Sequence, residues 1–311
     1  MLSNFTYLLS CFLLFLITIP AIAQFGGKQT VAQDIPNEKF EISADLNQDG
    51  FIDLVMARTD SDGSEKHYIR FNDGKNNFTE EKLIREDKTE WTQIEPADFD
   101  QDGDLDLAVY QGEKGKVAWL ENDGKFNFKW RRDIASNAPG KFIVAQFTGD
   151  KAPDVMAGNV LYQNDGTGFF TEKARLTDEV TTWHLAVDTD NDGQTEMVTY
   201  NKFYRYNDDS GFSEAAMFYE GEYEENFRSV FELLDIDVNR DGLIDFAIAS
   251  TEGLFGDASS SVTIVENLGN NAFKLFASSN INSDSNDLFA YTNDPFKTAY
   301  VADYNGDSYD D

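Results

Sequence analysis

Cysteine is almost missing: one residue, Cys11, in a chain of 311. It lies inside an apolar N-terminal run, so the rest of the chain has neither disulfides nor thiol chemistry available. Positive charge is also scarce. Lys and Arg total 25 against 57 Asp and Glu, for a net charge of −32. That balance argues against nucleic acid and anionic membrane surfaces as partners. There are two histidines, His67 and His184, and no G-x-S-x-G, P-loop, H-E-x-x-H or dinucleotide fingerprint. Met1–Ala23 contains no charged residue, is apolar from Leu8 to Ile19, and ends Ala21-Ile22-Ala23 before Gln24. It reads as a secretory leader cleaved after Ala23, the alternative being an uncleaved anchor of about 18 apolar residues. The expected location is secreted, cell-surface or periplasmic. Residues 24–38 read as a linker, and no membrane insertion is expected of the chain beyond the leader.

What the chain has in abundance is one acidic loop, written six times as a variation on D-x-D/N-x-D-G-x-x-D. The first is Asp45, Asn47, Asp49 and Asp53, with the carbonyl of Phe51 between the last two. The second is Asp98, Asp100, Asp102, the Asp104 carbonyl and Asp106, and the fourth is Asp188, Asp190, Asp192, the Gln194 carbonyl and Glu196. The fifth is Asp237, Asn239, Asp241, the Leu243 carbonyl and Asp245. The sixth is Asp303, Asn305, Asp307, the Tyr309 carbonyl and Asp311. Alternation turns every second side chain inward, glycine at position 6 frees the backbone, and a carboxylate at position 9 closes the far side. Calcium takes six to eight oxygen ligands in a tolerant geometry, so such a loop can wrap it. Like charges about 4 Å apart repel by about 4 kcal/mol at an effective dielectric of 20, so an empty loop is expected to be mobile and metal to order it. The third loop (Gln146, Thr148, Asp150, Asp154) has two carboxylates only and Lys151 where glycine belongs; a turn that kept its shape and lost its ion describes it better. About five calcium sites are therefore expected, and they would offset ten of the negative charges.

EF-hands share this opening but need an acid at position 12 and helices on both sides. Position 12 of the first five loops is Met56, Val109, Ala157, Thr199 and Ile248. The flanks, such as Lys39-Phe-Glu-Ile-Ser-Ala44, alternate with the period of a strand. The loop joins β-strands.

Loop starts at 45, 98, 146, 188, 237 and 303 are 53, 48, 42, 49 and 66 residues apart, and periods of about 40–50 mark four-stranded propeller blades. A second landmark follows each of the first five loops: Asn72-Asp-Gly with Phe78, Asn122-Asp-Gly with Phe126 and Phe128, Asn164-Asp-Gly with Phe169 and Phe170, Asn207-Asp-Asp with Phe212, and Asn267-Leu-Gly with Phe273. Asn-Gly pairs supply the positive φ of tight turns, and the Phe is expected to bury between blades. In the second unit, strands are expected near Trp91–Ala97, Leu105–Tyr110, Lys116–Leu120 and Phe126–Asp133. Through Ala97-Asp-Phe-Asp-Gln-Asp-Gly-Asp-Leu-Asp-Leu-Ala-Val109 and these N-D-G-x-x-x-F turns, the chain resembles the FG-GAP-like (VCBS) repeat family over about 39–311. The resemblance implies an all-β, integrin-α-type β-propeller, with blades about 39–85, 86–135, 136–177, 178–222, 223–290 and a partial 291–311. Five blades are complete and a sixth is begun, so an open arc of a truncated propeller is expected.

His67 reads as a solvated strand-edge residue and His184 as a packed or channel-lining one. Trp91, Trp119, Trp130, Trp183 and Tyr204 read as inter-blade core. Three functions remain open. The first is a non-catalytic, exported, calcium-binding propeller presenting loops to an extracellular protein or glycan. The others are a polysaccharide-acting, lyase-like enzyme on the same scaffold, and a spacer in a larger surface protein.

Overall fold

The computed structural model describes residues 37–281 apart from 76, 89, 139, 141, 177–182, 200–201, 218–229, 253–258 and 271. Its secondary structure is β throughout, save one 3-10 turn at Gly112–Lys114. The first sheet holds β1 (Glu38–Ala44), β2 (Asp53–Thr59), β3 (Glu65–Phe71) and β4 (Glu80–Asp87). The second holds β5 (Trp91–Ala97), β6 (Asp106–Gln111), β7 (Lys116–Glu121) and β8 (Lys129–Ser136). The third has β9 (Phe142–Ala145), β10 (Asp154–Ala157), β11 (Val160–Asn164) and β12 (Phe170–Arg175). In the fourth lie β13 (Trp183–Val187), β14 (Glu196–Thr199), β15 (Lys202–Asn207) and β16 (Gly211–Met217). The fifth contains β17 (Val230–Ile236), β18 (Asp245–Glu252), β19 (Ser259–Asn267) and β20 (Phe273–Ile281). Every sheet is an antiparallel meander in chain order, so each acidic loop and each Asn-led turn share one edge, and the connections between second and third strands lie on the other.

The second strands carry the core. All six residues of β6 and all four of β10 are buried, because neighbouring sheets cover both faces; the apolar run Leu107–Val109 follows from that, as in any strand buried on two sides. Four apolar clusters fill the four junctions between consecutive sheets. Val55 and Ile69 meet Ile94, Leu107 and Val109; Tyr110, Val117 and Trp119 meet Phe142 and Val155; Phe147, Met156 and Leu161 meet Met197 and Tyr206; Val198 and Phe203 meet Phe246 and Val265. Each such side chain contributes about 1.5–3 kcal/mol on burial. First strands of consecutive sheets also lie against one another, β1 on β5, β5 on β9, β9 on β13 and β13 on β17.

β5 spans the expected residues, whereas β8 starts at Lys129, three residues late, because Phe126 sits in the turn at φ 57°. Phe126, Phe128, Phe170, Phe212 and Phe273 do pack against the inter-sheet clusters, but Phe169 is 50% exposed. Trp91 and Trp119 are buried core. His67 is not a solvated edge residue: it is fully buried, its ring stacked on that of Trp91 with centroids 3.7 Å apart. A third-strand residue faces the next sheet here, so its position in the strand says little about its exposure.

Trp119 of the second sheet also closes over Gly168 of the third; a Cβ there would sit 2.1 Å from the indole, and the glycine is left-handed at φ 71°. Gly50 has the same backbone sign but open space around it. Gly168→Ala should therefore cost about 2 kcal/mol or more, as overpacking does, and clearly more than Gly50→Ala. Urea unfolding of the two variants measures the difference.

Candidate metal centres

Five of the six expected loops lie within the described residues; Asp303, Asn305, Asp307, Tyr309 and Asp311 lie outside them. The five share one backbone. Position 4 is left-handed in each (Gln48, Gln101, Gly149, Asn191, Arg240), and so is position 6 (Gly50, Gly103, Lys151, Gly193, Gly242). Lys151 thus holds at φ 75° a conformation that disfavours a side chain by about 1–2 kcal/mol. The third loop kept its shape although its chemistry degraded.

Side chains at positions 1 and 5 fix this shape. Asp45 Oδ1 and Oδ2 accept from the backbone N–H of Asp49 (3.0 Å) and Gly50 (2.8 Å). The same pair of bonds recurs at Asp98, from Asp102 and Gly103 at 3.1 Å each, and at Asp188, from Asp192 (3.1 Å) and Gly193 (2.7 Å). Position 5 accepts from the N–H of position 7: Phe51 to Asp49, Asp104 to Asp102, Ala152 to Asp150, Gln194 to Asp192 and Leu243 to Asp241. These are Asx turns, in which a short acid caps its own backbone. They leave the remaining lone pairs gathered inside the loop. Donor oxygens of Asp98, Asp100 and Asp102 lie within 4.8 Å of one another, as do those of Asp188, Asp190 and Glu196.

Position 9 has a second role that the ligand pattern alone did not show. Asp53, Asp106, Asp154 and Asp245 are fully buried, and Glu196 nearly so. In four sheets one oxygen accepts the N–H of the Asn opening the turn: Asn72 (2.9 Å), Asn122 (2.7 Å), Asn164 (3.0 Å) and Asn267 (2.7 Å). The other oxygen accepts from within the loop, from Leu46, Phe99, Thr148 or Val238. Each Asn in turn donates its side-chain amide to the carbonyl at position 8. The loop and the turn are therefore one unit, locked by a buried carboxylate.

Consecutive loops are also linked. The position-4 amide of one donates to the position-6 carbonyl of the next: Gln48 to Gly103 (2.9 Å), Gln101 to Lys151 (3.3 Å) and Asn191 to Gly242 (2.7 Å). Gly149 has no side chain to offer, and the third-to-fourth link runs through Gln194 Nε2 to Phe147 O and Thr195 N–H to Gln146 O instead. The loops form a single row.

Their chemistry differs along it. The first, second and fifth loops are lined by carboxylates and fit a hard divalent cation, although in the first and fifth the side-chain amides of Asn47 and Asn239 donate to Asp49 and Asp241. In the third, Gln163 donates to Asp150 and the Thr148 hydroxyl to Asp154, so both carboxylates are occupied. The fourth, rich in carboxylates, already contains a cation. Arg205 contacts Asp190 at 3.0 Å, pairs with Asp192 and reaches Glu196 at 3.5 Å. It arrives there because the asparagine motif is displaced by one residue along an unchanged strand pairing. Tyr206 pairs with Phe212 as Asn164 pairs with Phe170 and Asn267 with Phe273, so Tyr206, not Asn207, is the counterpart of the turn asparagine. Arg205 then falls where the other sheets have Glu121, Gln163 and Glu266.

Burial pushes the Asp106 carboxyl up to about 7 and that of Asp154 to about 6, and it raises Asp53, Asp245 and Glu196 as well. Asp104 rises to about 6 through burial first and then the charges of Asp102 and Asp100. Asp192 goes the other way: burial pushes its carboxyl up, but the Arg205 guanidinium and the Gln194 N–H together hold it below its ordinary value.

A model of the FG-GAP-like repeat family matches residues 45–109 and again 98–157, two adjacent units that each run from an acidic loop into the second strand of the following sheet. Residues 45–157 thus carry two FG-GAP-like repeats. No curated protein matches it.

Two outcomes follow. Position-9 carboxyls bind their protons more tightly folded than unfolded, where the value is 3.8. The stability they lend is full below about pH 4 and declines as pH rises towards 7. Chelator-treated protein should accordingly lose melting temperature between pH 5 and 7.5 in a thermal-shift series. Calcium, which needs the ionised form, should raise it more at pH 7.5. Replacing Arg205 by Gln should add about one calcium equivalent to the stoichiometry measured by calorimetry.

Proposed function

We propose that the chain is an exported, β-propeller-like protein whose row of loops is loaded with calcium and whose opposite edge meets an extracellular protein or glycan. One observation carries this reading: five loops of identical backbone, most of them oxygen-lined, stand side by side on one edge of five consecutive sheets. Radial stacking is supported by the first strands, which touch from sheet to sheet while apolar clusters fill every junction; such stacking is how propellers protect their sheet edges. Calcium is favoured over magnesium because a short loop of carboxylates and carbonyls suits six to eight flexible oxygen ligands better than a strict octahedron. The ions are structural. Extracellular calcium modules bind at about 10⁻⁴–10⁻³ M, so outside a cell the sites stay filled. The edge away from the loops, with Gly112–Lys114 and the other second-to-third connections, is free to vary and is the binding face.

Calcium at ten times its Kd should add about 1.4 kcal/mol per site, so removing it with EDTA should lower the melting temperature by many degrees. Asp100→Ala should reproduce part of that loss and reduce the calcium bound by one equivalent. An EDTA-insensitive melting curve would refute the calcium reading. Turnover of acidic polysaccharides by the calcium-loaded protein would replace the binding role with a catalytic one.

A further inference from the structure

A second kind of metal site lies away from the loop row, in the junction between the first two sheets. Glu41 stands at the β-bulge of β1, where the register with β2 shifts between Phe40 and Ile42, and a bulge re-aims the side chain it carries. Glu65 and His67 occupy the same face of β3. His67 is fully buried and Glu65 is 8% exposed; the Glu41 side chain is 6% exposed. His67 Nδ1 lies 3.0 Å from Glu41 Oε2 and Nε2 lies 3.7 Å from Glu65 Oε2. Donor atoms of all three fall within 4.8 Å of one another. Yet His67 Nε2, Glu65 Oε2 and Glu41 Oε1 each lack a hydrogen-bond partner. Three buried polar atoms, one on each of three touching residues, would each cost about 1–3 kcal/mol if left so.

Lys39 does not satisfy them. Its ammonium stands 3.7 Å from Glu41 and 3.5 Å from Glu65, and its short contact, 2.7 Å, is with Glu90, which is 58% exposed. Lys39 covers the solvent side of the cluster without entering it.

We infer that Glu41, Glu65 and His67 bind one first-row divalent cation of the zinc type. The imidazole decides the class: calcium and magnesium take oxygen ligands, while zinc accepts a mixed set of His nitrogen and carboxylate oxygen at about 2.0–2.2 Å. The ion takes one nitrogen of the imidazole; tetrahedral ligands at that range stand about 3.3 Å apart, against 3.7 Å from Nε2 to Glu65 Oε2 or 3.0 Å from Nδ1 to Glu41 Oε2, with one donor atom of each residue within 4.8 Å of the other two. Rotation of two glutamate side chains completes the site, with water in the open position. Trp91, on the first strand of the next sheet, walls one face of the imidazole at 3.7 Å, so the ion would tie β1 to β3 within the first sheet, beside its junction with the second.

The test is a Co2+ titration of the calcium-saturated full chain. One equivalent should bind with visible d–d absorption and quench tryptophan fluorescence through Trp91, and Zn2+ but not excess Ca2+ should displace it. His67→Gln, Glu65→Gln and Glu41→Gln should each weaken binding by about 100-fold with the calcium stoichiometry unchanged. No visible band at cobalt saturation of the wild type overturns the assignment, whatever the variants do. So does a band that Ca2+ chases off, which would place the cobalt in the acidic loops, or a band that persists in His67→Gln.

Discussion

In four of the five described loops the carboxylate at the ninth position, buried and accepting backbone N–H groups from two directions, is the interaction on which the rest of the architecture leans. It ties the start of the second strand to the end of the third in the same sheet. Because both its oxygens are engaged, the acidic loop and the Asn-led turn cannot move independently. A buried carboxylate is costly unless its hydrogen bonds are made. The cost is visible in the upward displacement of Asp106 to about 7. A divalent ion in the loop lowers that cost by favouring the ionised form, so the fold and the proposed metal stabilise each other through one residue.

The second constraint is lateral. Each sheet is too narrow to build a core alone, and its second strand is buried only because neighbours cover both faces. Apolar junctions supply the bulk of that energy, but they have no directional preference. The amide-to-carbonyl links from Gln48, Gln101 and Asn191 to the next loop supply the alignment, holding successive sheets at one height. Asn164 and Asn267 add to it by donating to Phe99 O and Thr189 O of the preceding sheet's loop. Loop and turn thus act along the row as well as within the sheet.

Much of this was legible from spacing. Position 6 glycines, strand-forming flanks and the N-D-G turns announce four strands per unit, and the structure has them. What spacing hides is anything that depends on a neighbour. Gln48 and Gln101 look like neutral filler at position 4, yet each adopts a positive φ and reaches the adjacent loop. His67 reads as an edge residue until the second sheet is placed against it. Asn207 resembles the other turn asparagines, but it lies one residue further along the strand, paired with Gly211, and Tyr206 holds the turn-asparagine position. Residue identity was misleading there because register, not the motif, decides which side chain faces the loop.

In four of the five described sheets that register position tunes the loop's charge, while the first has Phe71 there, packed against the core. The residue one before the turn asparagine, or its counterpart, faces the acidic pocket: Glu121 beside Asp100, Gln163 on Asp150, Arg205 on Asp190, Glu266 on Asn239. A glutamate there deepens the negative field and strengthens a cation site, a glutamine caps one carboxylate, and an arginine substitutes its own charge for the ion. The backbone of the loop is indifferent to the choice, since positions 5 and 9 hold it in all five described loops and position 1 in four. The third and fourth loops accordingly keep this geometry although Gln163 and Arg205 occupy their carboxylates.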